Sequence, residues 1–454
     1  MTSFFTDAHA LEQWPTAERV RALKRILPHA KVQAVLRRTG HASRRYLRLP
    51  AWFMVWFVIA LGLFCRDCYR QVFKWLQPFH RKGTPGRSTF CEARQRLGVA
   101  PLHLLAREVI ELQATPDTPD AFYHGMRLMA LDSFVLDVAD SPTNARVFGR
   151  PGSGRSPAAF PQVRVLALCE VGTHVLWRTL TKPGRRSEVV MAAYLLRFLR
   201  DDMLLLWDRG FLSCDLVQQV HTRHAHLLAR IKSNLVFRPL RRLCDGSYLA
   251  KLYPSPRHRD RDQGGVVVRI IEYTLNDPGR AGSGPKHRLL TTLLDAGRHP
   301  AKQLIMQYHE RWEEELAIDE LKTHQRERPV LRSETPGGVV QEIAGLVLAH
   351  YVVRVLMSEA ARTNGLSPRR LSFTGTLKIL RCRLPECPKS RKGLKHWYED
   401  LLVEIAEEVL PLRRNRINPR VIKRKMSNWP KKRPQHRRYP QPTKKFRQSI
   451  VMLS

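Results

Sequence analysis

The sequence predicts an α/β protein. A core of strands and helices spans residues 121–340, a helical region precedes it over 1–113, and a helical segment over 341–410 and a basic tail over 411–454 follow. Three observations carry this. Periodicity changes from helical to alternating after the linker ATPDTPDA at 114–121. Three strand-like segments, a helix and a fourth strand then follow in order. Beyond them, the stretch from about 234 to 287 is rich in turns and β-branched residues, the mark of a β-rich insertion.

Composition bounds the partners. The chain has 454 residues, 43% of them hydrophobic, which is enough to bury a core. Its formal net charge is +38 and its pI about 10.7. A protein this basic is built to meet a polyanion, with nucleic acid first and an anionic membrane surface a weaker second. MTSFFTDAHALEQW has neither the basic nor the apolar region of a secretory leader. With eight scattered cysteines, a reducing cytoplasm is expected. Cys65 and Cys68 form a CxxC pair and Cys382 and Cys387 lie five apart, but no second CxxC stands at a zinc-site spacing. The thiols therefore read as packed or helix-surface groups, and His221, His224 and His226 are weak ligand candidates.

In the N-terminal region, Pro50 opens the longest apolar run, AWFMVWFVIALGLF over 51–64, which Arg66 and Asp67 close. A bilayer span takes about 20 residues, so this run is expected to be a buried core helix. After HRKGTPGRS, Ser88 is the expected N-cap of the helix TFCEARQRL, which stops at Gly98. Arg94 and Arg96 on it are candidate DNA contacts, against the alternative of a solvated basic face.

In the core, MRLMALDSFVLDV alternates and holds Asp132 in its middle. QVRVLALCEV and HVLWRTL are two further strands joined at Gly172. Ser187 is placed to cap the helix EVVMAAYLLRFLRDD, and the strand MLLLW runs into Asp208 of DRGF. Three strands, a helix and a strand, with acids at those two places, form the opening half of a ribonuclease-H-like fold. A buried strand running into Asp-Arg-Gly also occurs in plain α/β proteins, so the pattern alone leaves both open. A helix near LVQQVHTR precedes the strand LLARIK, whose Arg230 and Lys232 share a face and are candidate DNA contacts. VVVRIIEYTL is a strand of the insertion, and RLLTTLLD returns to the core. Gly338–Ala361 and Lys395–Val409 read as helices. From 411 onward there are 15 Lys or Arg and no Asp or Glu, broken by prolines. This reads as a disordered, nucleic-acid-binding tail.

The most informative stretch is YHERWEEELAIDELK, Tyr308 to Lys322. On a continuous helix Arg311, Glu315 and Lys322 would sit at roughly 300°, 340° and 320° from Tyr308, sharing one face about 60° wide. That face sets one carboxylate between two cations and a phenol, a group suited to a metal ion and a phosphate. An exposed helix with an Arg311–Glu315 ion pair would show the same spacing, and Asp319, at roughly 20°, competes with Glu315.

Asp132 in ALDSF, Asp208 in WDRGF and the Tyr308-Arg311-Glu315-Lys322 signature resemble the bacterial DDE transposases of the fourth insertion-sequence family. The β-rich stretch between the second and third acids, the N-terminal helices through STFCEARQRLG and the basic tail are similar too. The resemblance implies that Glu315 rather than Asp319 is the third acid. It further implies that Asp132, Asp208 and Glu315 hold two Mg²⁺ (or Mn²⁺) ions, and that Tyr308, Arg311 and Lys322 hold the DNA backbone near the scissile phosphate. Some members use a tryptophan of the insertion to stabilise a flipped base. Here no Trp lies between Trp207 and Trp312, and none of Tyr248, Tyr253, Tyr273 or Phe237 is assigned that role.

The chemistry follows from the residue types. Three carboxylates in one pocket repel unless cations neutralise them, and hard oxygens suit Mg²⁺ or Mn²⁺. Two such ions about 4 Å apart activate a water or a 3′-hydroxyl and stabilise the leaving oxygen. Joined to the resemblance, this chemistry makes cut-and-paste transposition the expected function: cleavage at element ends, then strand transfer into target DNA. The resemblance also implies the partners: double-stranded DNA, at terminal inverted repeats and target, and a second copy of the chain in a homodimer on DNA. No membrane is expected, and the expected location is the bacterial cytoplasm, at the nucleoid. The rival readings are a ribonuclease-H-like nuclease without strand transfer and an inactive DNA-binding relic.

Overall fold

The computed structural model describes residues 22–43, 47–76, 83–153, 156–232, 234–280, 282–388, 390–411 and 441–453. The chain divides into two compact units, one of residues 1–195 and 312–410, the other of residues 196–311 and 411–454.

The first unit begins with helices α1 (His29–Arg38), α2 (Ala51–Leu63), α3 (Tyr69–Leu76), α4 (Arg87–Leu97) and α5 (Ala100–Val109). Helix α2 is apolar on every side and accordingly buried almost throughout. Gly86, not Ser88, takes the N-cap position of α4, while Gly98 ends it on left-handed backbone (φ 65°) as a C-cap glycine does. The chain then enters β1 (Phe122–Tyr123), β2 (Met126–Val138), α6 (Pro142–Phe148), the small β3–β4 ribbon (Gly152–Ser153 and Ser156–Pro157), β5 (Gln162–Glu170), β6 (Val175–Pro183) and α7 (Glu188–Leu196).

The second unit holds β7 (Met203–Trp207), α8 (Cys214–Thr222), β8 (His226–Arg230), β9 (Arg241–Arg242), β10 (Tyr248–Leu252), α9 (Pro256–Asp260), β11 (Val266–Leu275), β12 (His287–Thr291) and α10 (Ala301–His309). The chain re-enters the first unit with α11 (Trp312–Asp319), a π-helix over Glu320–Gln325, β13 (Val330–Leu331), α12 (Pro336–Thr363), α13 (Phe373–Arg383) and α14 (Arg391–Glu407). It ends in the second unit with α15 (Phe446–Ser449) and β14 (Ile450–Met452).

The result is a mixed α/β protein. In the first unit β5 lies between β2 and β6 in antiparallel pairs, with β1 antiparallel and β13 parallel to β2. In the second unit β7 and β8 are parallel. From β8 the antiparallel order runs β8–β12–β11–β10–β9, and β14 adds to β11.

Helix α12 is long and apolar enough to cross a membrane by composition, yet 94% of its most apolar window is buried inside the protein. Thr335 caps it through the Gly338 amide. It meets α2 backbone to backbone. A Cβ on Gly62 would lie 2.4 Å from the Gly345 carbonyl oxygen, and one on Gly345 would lie 2.4 Å from that of Val58. Glycine at both positions is what lets the two apolar helices form one core.

Three further sequence expectations are corrected. Tyr308 to Lys322 is not one helix. At Glu310 and Arg311 the amides bond back three residues, to Gln307 and Tyr308, so α10 closes and α11 starts anew. The π-helix then widens the turn under Lys322, so a single 100° wheel does not describe the signature. The tail is not free throughout. Residues 412–440 lie outside the described residues, but β14 pairs with Tyr273–Leu275, and Asp277 accepts the Thr443 and Lys444 amides at 3.2 and 3.4 Å. Phe446 stacks on His309 at 4.3 Å. Arg94, finally, does not stand on a solvated basic face. It is buried, and its guanidinium donates to Gln341 Oε1 (3.1 Å), Ser333 Oγ (3.2 Å), the Gly338 carbonyl (2.7 Å) and the Tyr69 hydroxyl. It ties α4 to the start of α12.

Candidate active site

The sequence-selected acids stand on three different elements. Asp132 lies on β2 opposite Ala167 of β5, half-buried, with Oδ1 accepting the Ser133 amide at 2.7 Å. Glu315 is half-buried on α11, and α11 packs on β2 and β5. Within the first unit, the helix of Glu315 therefore lies on the sheet that carries Asp132. Asp319, at the end of α11, is exposed and locally engaged, accepting from Thr323 Oγ1 at 2.6 Å and facing His324 Nε2 at 3.2 Å.

In the second unit Asp208 directly follows β7 and accepts the Arg209 amide at 2.7 Å, opening a short 3₁₀ turn. The Tyr308 hydroxyl donates to the Trp207 carbonyl at 3.3 Å, one residue before Asp208. Burial pushes that hydroxyl well above the ordinary phenol range; Arg311 opposes the shift and Asp208 adds to it. Tyr308 is thus held as a neutral hydrogen-bond donor. Arg311, two residues past α10, is buried.

Two basic grooves accompany these residues. In the first unit Lys322 lines one of about 550 Å³ with Arg66, His324, Arg328 and Lys378. In the second unit Arg230 lines one of about 630 Å³ with Arg209, Arg242, Lys286 and Arg288. Glu272 takes Lys286 (2.6 Å) and Arg288 (3.2 Å), and leaves Arg209, Arg230 and Arg242 without a carboxylate partner among the described residues. Lys232 is exposed past the end of β8, outside that lining, and Arg96 is exposed on α4. Sequence reasoning missed Arg209, although it adjoins Asp208, and missed Arg66, Arg242 and Arg328. The two thiols of the CxxC pair are unalike: Cys68 is exposed, while burial pushes Cys65 up to about 12, a poor state for a metal ligand.

Comparison with known proteins decides the family. A model of the insertion element 4 transposase N-terminal region matches residues 17–107, and one of the transposase DDE domain matches residues 123–352, half of the chain. The chain belongs to the IS4-family DDE transposases. This transposase is 29% identical over 409 residues to the transposase InsG for insertion sequence element IS4 of Escherichia coli K12, covering 88% of this chain and 91% of InsG. It is 30% identical to InsZ of the same strain over 192 residues, 42% of this chain and 64% of InsZ. A piggyBac transposase in a synaptic complex with hairpin DNA aligns over 85% of each chain at 11% identity and a TM-score of 0.41, too slight a likeness to carry a fold assignment.

The transposase acts on DNA as a cleaving and strand-transferring enzyme, and DDE domains generally use divalent metal ions. The chemistry of its acids fits such ions, since all are hard oxygen donors and half-buried. Among the described residues no three His, Cys, Asp or Glu side chains stand together as a ready metal cluster.

Proposed function

We propose that the transposase works by cut-and-paste on a ribonuclease-H-like core, with Asp132, Asp208 and Glu315 as its metal-holding carboxylates. The observation that carries this reading is the packing of α11, with Glu315, on β2, with Asp132. The order β2, β5, β6, α7, β7 supports the fold, being that of a ribonuclease-H opening. Two Mg²⁺ or Mn²⁺ ions, when bound, would supply an activated water or 3′-hydroxyl and a stabilised leaving oxygen. The carboxylates provide anionic oxygens on stiff elements. Arg311 and Lys322 offset charge that grows on the transferring phosphate, and Tyr308, fixed to the Trp207 carbonyl, shapes the wall beside Asp208. The helical region over 1–113 serves DNA-end binding, and a homodimer on DNA brings two ends together, in the bacterial cytoplasm at the nucleoid. Joining of pre-cleaved ends to a target plasmid tests the proposal: a protein that cuts but never joins is a nuclease instead.

Two further results are expected. Arg311→Ala and Lys322→Ala should each lower strand transfer about 10- to 100-fold, the loss of a charge-assisted phosphate contact of about 1.5–3 kcal/mol. Full activity in both folded variants would remove the signature cations from the mechanism. Replacing Arg209 and Arg230 by Gln should reduce the slope of log affinity against log salt by about 0.9 per lost phosphate contact. An unchanged slope would mean that the groove of the second unit does not meet DNA.

A further inference from the structure

The turn between β5 and β6 carries a residue the mechanism does not use. His174 is 3% exposed on left-handed backbone (φ 58°). Its Nε2 lies 2.9 Å from Glu313 Oε2 and its Nδ1 3.0 Å from Glu320 Oε1. Glu313 belongs to α11 and Glu320 opens the π-helix, so one imidazole ties together both halves of the segment that bears Glu315 and Lys322. Beside it, Arg354 of α12 meets the same His174 Nδ1 and pairs with both oxygens of Glu320, Nε at 2.9 Å from Oε2, and His350 Nε2 stands 3.2 Å from that oxygen.

The spacing gives the clamp a direction. Glu315 follows Glu313 by two residues, about 200° around the helix, so the tied acid and the functional acid point to opposite sides. Lys322 follows Glu320 by two residues in the wider π-helical turn, which still sets it on the other side of the segment. The turn is itself fixed. Glu170, fully buried at its start, accepts the Gln113 and Ala114 amides at 2.8 and 3.0 Å. A Cβ on Gly172 would lie 2.4 Å from that of Ala121. The imidazole therefore hangs from a rigid support rather than following the helix it holds.

We infer that His174 is a positioning residue for DNA cleavage and joining, setting the rotation of the Trp312–Gln325 segment so that Glu315 and Lys322 face the reacting phosphate. The inference rests on the reading of Glu315 as a metal ligand. Residues that orient metal ligands in this way typically cost 10- to 100-fold in metal affinity or activity when lost.

The test uses the full chain bound to duplex element ends. His174→Asn keeps a residue that tolerates left-handed backbone but is too short to span both acids. The Mn²⁺ concentration that half-saturates cleavage should rise about 10- to 100-fold, with the KM for DNA unchanged. Mn²⁺ binding to the protein–DNA complex, read by the electron paramagnetic resonance of free Mn²⁺, should weaken in step. Amides of residues 312–325 should exchange faster while those of β2 and β5 do not. A lower melting temperature with Mn²⁺ binding and dependence unchanged would overturn the inference and leave His174 a stabilising core residue. Should His174→Asn fail to fold, Glu313→Gln loosens one arm at constant shape and is judged by the same readouts. Glu315→Gln runs alongside. If it stays active, the metal-ligand reading has failed. If it is inactive while His174→Asn is indifferent to Mn²⁺, only the positioning role has failed.

Discussion

Asp132→Asn, Asp208→Asn and Glu315→Gln should each leave less than about one part in 10³ of cleavage and joining, while binding to element ends persists. Each change removes an anionic oxygen and keeps the shape of the side chain. The charge stabilisation a metal provides at a phosphoryl group is several kcal/mol, and each 1.36 kcal/mol is tenfold in rate, so losing about 4 kcal/mol reaches that figure. Binding should survive because the uncompensated cations, Arg209, Arg230 and Arg242 among them, lie on other residues. Asp319→Asn is the control. Its carboxylate is exposed and engaged with Thr323 and His324, so activity should stay near wild type. Gel-shift binding and cleavage measured on the same preparations check this. A Glu315→Gln protein that still cuts, or an Asp319→Asn protein that does not, would reassign the third acid.

The strands that carry the acids were legible because their signals are local. β2, β5, β6 and β7 follow from alternation or apolar runs within a dozen residues, and Asp132 and Asp208 fall where those runs place them. The apolar run after Pro50 was likewise readable as a core helix, although its partner was not. The Gly62–Gly345 approach joins residues far apart in the chain, and no window of sequence contains both.

What failed failed for a common reason: a local pattern was overruled by a distant partner. Arg94 looks like a member of a basic helix face, but Gln341 and Ser333 draw it inside. The basic tail reads as disordered by charge, but its last residues find an open edge of β11 and the buried Asp277. The signature spacing fits a uniform helix, yet the chain breaks after His309 and widens after Asp319. The family resemblance, which does not depend on a helical wheel, implies Glu315 over Asp319, and the Glu315→Gln and Asp319→Asn variants test that choice.

The largest stability effect is expected at Arg354. This side chain is 1% exposed and is the main cation facing Glu320. Burial works to raise the Glu320 carboxyl, but Arg354, His174 and His350 outweigh it and hold the group well below the usual carboxylate range. The folded value is depressed, so Glu320 contributes stability that is present above its unfolded value near 4.5 and is lost as pH falls through the folded one. Arg354→Met removes the cation and leaves the acid buried. Breaking one partner of a buried pair costs about 3–5 kcal/mol, a large share of the 5–15 kcal/mol that about spans domain stabilities. With its main opposing cation gone, the folded value moves up toward the unfolded one, so the variant has less Glu320 stability to lose as pH falls below the unfolded value near 4.5. Urea midpoints at pH 7 and at about pH 3.5 should therefore show a gap from wild type that narrows in acid. Arg354→Lys, which returns a cation without the paired contacts, should recover part of the loss. A gap that is the same at both pH values would assign the effect to lost packing instead, and the charge network around His174 would then have no measurable electrostatic role.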